Sequence, residues 1–100
     1  MYARLARYEV PPGRIHEVVH GFEDAAGELQ GLEGLKGGYL LVDDQEGLAL
    51  TLTLWDTRAA LETSAARAGA LRQRAVRTVD GSVQSVHGLE VALSFGDAGG

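Results

Sequence analysis

The eight residues 48 to 55, LALTLTLW, alternate without a break: Leu48, Leu50, Leu52 and Leu54 lie on one side of an extended chain, and Ala49, Thr51, Thr53 and Trp55 on the other. Such strict period-two patterning demands a sheet with at least one buried face. The turn DDQEG precedes it, and the apolar run YLLVDD precedes the turn, so the two runs form a hairpin. A further strand is expected over residues 2 to 10, YARLARYEV, stopped by PPG because proline has no N–H for a ladder. Between these strands the period changes. Ile15, Val18, Val19, Phe22, Ala26 and Leu29 form a helical stripe from Arg14 to about Gln30. After Trp55, Asp56 can cap a second helix of about twenty residues, with Leu61, Ala65, Ala68, Leu71 and Ala75 inward and the arginines outward. A last strand is expected at LEVALSF, 89 to 95.

The resulting order, β-α-β-β-α-β, is the ferredoxin-like arrangement: an α+β fold whose four-stranded antiparallel sheet carries two helices on one face. A single domain over residues 1–95 is expected, with 96–100, GDAGG, as a flexible C-terminal tail. The second sheet face would be bare, and two copies pressing these faces together into a homodimer would cover it. The leucine side of residues 48–55 is expected to meet the helices. Ala49, Thr51, Thr53 and Trp55 would then face the partner, where they either line a cavity between the two sheets or form a packed interface.

There is no cysteine, which excludes disulfides, thiolate metal sites and thiol nucleophiles and fits a reducing, cytoplasmic setting. No leader-like h-region or apolar run of membrane-spanning length occurs, so a soluble chain without a membrane partner is expected. A net charge of −5 argues against nucleic acid as a partner, and the basic stretch RAGALRQRAVR at 67–77 reads as a solvated helix face.

RIHEVVHGFE, residues 14 to 23, contains H-E-x-x-H, the helical spacing of zinc hydrolases. With Ile15 as zero, His16, Glu17 and His20 stand at roughly 100°, 200° and 140°, away from the apolar stripe. A catalytic zinc needs inward-facing ligands and a third protein ligand, and nothing brings His87 to this helix. No metal and no cofactor are therefore expected. The glycines at 31, 34, 37 and 38 follow a helix and lack phosphate-loop spacing.

Taken together, VPPG, GLKGGYLLVD, TLTLWDTRAALE and VHGLEVAL resemble the antibiotic biosynthesis monooxygenase-like family of dimeric α+β barrels over nearly the whole chain. The resemblance implies the same dimeric fold, and an activity of the cofactor-independent monooxygenase type on aromatic, quinol- or polyketide-like substrates; other members degrade haem. It also implies that Trp55 lies against a ligand cavity. The haem-degrading pattern, an Asn on the first strand and a His on the second helix, is missing, and the chain has no Asn at all. Tyr8 and Tyr39 could offer phenols to a substrate oxygen, and Arg4 could offset charge on a phenolate. Arg4 would otherwise need a carboxylate such as Glu90. The candidate substrate-binding set is Trp55, Tyr39, Tyr8, Arg4, Thr51 and Thr53, and no catalytic residue is singled out. The alternative is a non-catalytic dimeric module that binds a small ligand in the same cavity. A connected pocket of roughly 300 Å³ or more with two titratable groups beside Trp55 favours the enzyme.

Overall fold

The computed structural model of the chain describes residues 1–96. The elements run β1 (Tyr2–Glu9), α1 (Ile15–Leu29), β2 (Leu35–Asp43), β3 (Leu48–Trp55), α2 (Arg58–Thr63), α3 (Ala65–Arg77) and β4 (Ser82–Glu90). The sheet order is β2-β3-β1-β4 with every neighbour antiparallel, the ferredoxin-like topology. Of the expected tail, residues 97–100 lie outside the described residues. Among the described residues no helix is long and apolar enough to cross a membrane.

Directly opposed residues of an antiparallel pair share a sheet face. Tyr8 stands opposite Ala49, Ala6 opposite Thr51, Arg4 opposite Thr53 and Tyr2 opposite Trp55. Tyr8, Ala6 and Ala49 are fully buried in one cluster with Ile15, Val18 and Phe22 of α1 and Leu71 and Ala75 of α3. Hence Ala49, Thr51, Thr53 and Trp55 face the helices, and Leu50, Leu52 and Leu54 face the open side, the reverse of the expected orientation. The cause is volume and hydrogen bonding. Tyr8, Phe22 and Trp55 fill the space below the helices, which leaves room for small side chains, and the hydroxyls of Thr51 and Thr53 satisfy Tyr8 and Trp55.

The expected single second helix is two helices meeting at Ser64. The Leu61 carbonyl accepts from the Ser64 hydroxyl, at 3.0 Å, and from the Arg4 guanidinium. A serine bonding back to its preceding turn bends a helix. As a result Ser64 is buried and Ala65 exposed. The N-cap is Thr57 rather than Asp56; its Oγ1 accepts from the Ala60 amide at 3.0 Å. In α1 the third turn buries Ala25 in place of Ala26.

The last strand lies at 82–90 rather than 89–95. Arg7 pairs with Ser85 but Tyr8 with Val83, so Gln84 is an extra residue in a bulge. The bulge resets the alternation and sets Val83 and Val86 three apart, a spacing that conceals a strand. In the β2–β3 turn, Gly47 has φ +64°, and a Cβ there would lie 2.6 Å from the Val10 carbonyl oxygen, so this turn admits only glycine without movement.

Candidate functional site

Beneath α1 and α3, on the covered face of the sheet, is a cavity of about 140 Å³. Its walls are Phe22, Ala25 and Leu29 of α1, Leu71 of α3 and Leu40 of β2; its polar groups are Arg4, Tyr8, Thr51, Thr53 and Arg72. It lies within one chain, not between two sheets, because the threonine face of β3 is turned inward. Its volume is also below the roughly 300 Å³ that would favour the enzyme.

Tyr8 is fully buried, packs on Phe22 with ring centroids 5.1 Å apart, and shares a 2.7 Å hydrogen bond with Thr51 Oγ1. Burial pushes its phenol up to about 12, against the opposing effects of Thr51, Arg72 and Arg4. At neutral pH it is a hydrogen-bonding group and not a base.

Arg4 is only 6% exposed. It donates through Nη2 to the Leu61 carbonyl and, at 3.3 Å, to Ser64 Oγ, and its guanidinium lies 5.3 Å from the Trp55 ring centre. The alternative pairing with Glu90 is not formed: Glu90 is exposed, and among the described residues Arg4 has no carboxylate partner. A backbone carbonyl at the α2–α3 break and an aromatic face stand in for it. Arg4 Nη1 is buried without a partner. Burial first, and the Arg72 cation second, hold the Arg4 guanidinium below its ordinary pKa.

Arg72 is the residue that sequence reasoning missed. The arginines of this helix were expected outward, yet Arg72 lies in the cavity wall with its Nε buried and unpartnered. The signal was present: Arg72 stands four residues after Ala68 and three before Ala75, on the buried stripe itself.

Of the candidate set, Arg4, Tyr8, Thr51 and Thr53 converge on the cavity. Tyr39 touches its mouth, but register places Tyr39 opposite Leu52 on the open face, where it is 57% exposed. Trp55 is fully buried behind Arg4 and is not part of the lining; its indole N–H donates to Thr53 Oγ1 at 2.9 Å. It can act on a ligand only by holding Arg4 and Thr53. His16, Glu17 and His20 are exposed on α1, with Glu17 paired to Arg14. Among the described residues no group of three His, Cys, Asp or Glu could hold a metal ion.

A family model described as antibiotic biosynthesis monooxygenase matches residues 1–76. An uncharacterized protein of Mycobacterium tuberculosis (strain ATCC 25618 / H37Rv) is 31% identical over 98 residues, which are 97% of this chain and 41% of that protein. The chain thus spans about two fifths of the length of the curated relatives it matches. Among solved structures, SnoaB, a cofactor-independent oxygenase from Streptomyces nogalater, is similar with a TM-score of 0.74 at 17% identity, over 93% of this chain and 94% of that one. MhuD, a heme-degrader from Mycobacterium tuberculosis solved with two hemes in its active site, has a TM-score of 0.72 at 23% identity, over 96% of this chain and 100% of that one. These likenesses establish the fold.

Proposed function

The chain belongs to the antibiotic biosynthesis monooxygenase family, and on that premise we propose that it is a cofactor-independent monooxygenase acting on a small aromatic substrate in the cavity beneath α1 and α3. The observation that carries this reading is the pair Arg4 and Arg72, two cations in the wall of one largely apolar cavity, each with a buried nitrogen that has no hydrogen-bond partner among the described residues. Among the described residues no Asp, Glu or His lines the cavity. Proton removal then falls to water, and the site's contribution is to make the substrate acidic by stabilising its oxyanion in a low-dielectric setting.

An activated ring C–H₂ beside an enolisable oxygen loses its proton to solvent. The resulting anion gives up two electrons, one at a time, to O₂ and forms a C–O bond, and protonation yields a hydroperoxide. Loss of water, with the second C–H hydrogen, leaves a carbonyl. One oxygen atom enters the product and the other leaves as water. Tyr8 and Thr51 supply hydrogen bonds that orient the ring oxygen.

A second reading, a ligand-binding module without catalysis, is favoured by the lack of any lining Asp, Glu or His among the described residues and by the modest volume. Oxygen uptake with anthrone-type and single-ring quinol substrates separates the two. Uptake above buffer that drops about 100-fold in Arg72→Met supports the enzyme. Rates equal to buffer across the panel, or unchanged in the variant, reject it.

The homodimer belongs to the same reading. Leu5, Leu50, Leu52 and Leu54, with the exposed Tyr39, Leu41 and Leu89, form an apolar sheet face that the helices do not cover. A second copy presenting the same face would cover it.

A further inference from the structure

The chain has fourteen Asp and Glu against nine Lys and Arg, and three of these carboxylates, Glu17, Asp80 and Glu28, pair with the surface arginines Arg14, Arg67 and Arg74. Among the described residues no carboxylate lines the cavity, where Arg4 and Arg72 stand together. Arg4 is 6% exposed, and a buried cation without a counter-charge is costly unless something else supplies one. Arg4 Nη1 and Arg72 Nε are also the buried side-chain polar atoms without a hydrogen-bond partner among the described residues. Both unmet donors thus belong to side chains of one cavity.

Resting on the ligand cavity proposed above, we infer that its ligand is a single-ring carboxylate, with the carboxylate held by the guanidinium groups of Arg4 and Arg72. A planar carboxylate is the anion that guanidinium geometry suits best. The cavity, about 140 Å³, is close to the roughly 150 Å³ of an apolar cavity known to hold benzene. Phe22, Leu29, Leu40 and Leu71 provide the apolar wall for one ring and leave little room for fused rings. Charge counting agrees with the proposed chemistry. One resting negative charge leaves one positive charge unmatched, ready for an oxyanion that develops on the same ring.

Titration calorimetry of the wild-type protein with benzoate, benzamide and acetate tests this without any variant. Benzoate is expected to bind at least tenfold more tightly than either, the amide lacking the charge and acetate the ring. In Arg72→Met, checked for folding by its thermal transition, benzoate affinity is expected to fall to that of benzamide. Arg4→Met is avoided as the first variant, since Arg4 also holds the α2–α3 break. Equal binding of benzoate and benzamide overturns the carboxylate while the aromatic cavity stands. Acetate matching benzoate overturns the ring, and benzoate binding unchanged in Arg72→Met overturns the placement of the anion. If neither arene binds, the ligand cavity itself falls, and this inference with it.

Discussion

On the sheet face that the helices cover stand Arg4, Tyr8, Thr51 and Thr53; on the face they leave open stand Leu5, Leu50, Leu52 and Leu54. Polar residues inside and leucines outside invert the usual distribution, and each half of the inversion has its own cause. Inside, hydroxyls and guanidinium groups are retained where burial makes their electrostatics strongest. Outside, a contiguous row of half-buried leucines is the kind of patch that marks an interaction surface. The proposed site lies on the covered face, and the open face is the proposed surface for a second copy.

The largest effect that would break this contrast is on the open face. Leu52 sits at the centre of its strand, opposite Leu5 on one side and Tyr39 on the other. In a symmetric dimer Leu52→Glu places two unpaired carboxylates in one interface, which is expected to raise the dissociation constant about 100-fold or more. Sedimentation equilibrium should find the wild type at twice the 10.6 kDa chain mass and the variant at the chain mass. A wild type that is monomeric at high micromolar concentration removes the homodimer.

How far the sequence carried can be judged from the same two faces. The unbroken alternation of 48–55 gave the strand and its pairing, and the stripe from Ile15 to Leu29 gave α1, because both periods are complete. What periodicity does not encode is which side of an alternating strand turns inward. Leucine was the natural choice, and the Thr/Ala side won because Tyr8 needed Thr51 and Trp55 needed Thr53. The α2–α3 break was hidden for a related reason: it depends on Arg4, sixty residues before Ser64, reaching the helix turn. Arg72 was legible by spacing, but charge outweighed position in the reading. The bulge at Gln84 shows the limit of period counting, since one extra residue was enough to hide β4.

A smaller effect concerns the covered face. The folded Tyr8 phenol titrates at about 12, above its ordinary value of 10.0, and its neutral form is the one the fold holds. Its contribution is complete below pH 10 and is lost as the pH rises through about 12, because the unfolded chain releases the proton first. A difference of this size corresponds to about 2–3 kcal/mol. Urea unfolding at pH 9 and pH 11.5 should show a steeper loss of stability in the wild type than in Tyr8→Phe, which keeps the ring but cannot ionise. Parallel losses in the two proteins would mean that Tyr8 is far less shielded than its contacts with Phe22 and Thr51 indicate.

The smallest effect is the most informative about the contrast. If the covered face is polar for the sake of a ligand, the empty protein should bear a stability cost for it, and removing the cause should give stability back. Arg72→Met keeps an unbranched apolar stem on α3 while deleting a buried, unpartnered N–H and a cation that repels Arg4. The expected gain without ligand is about 0.5–1 kcal/mol, small because Arg72 is half-buried and solvent screens part of the repulsion. Denaturant midpoints at unchanged slope would measure it. Saturating benzoate should reverse the order, since only the wild type gains binding energy from the anion. A variant less stable than the wild type in both conditions would assign Arg72 to packing and leave Arg4 as the sole cation facing a ligand.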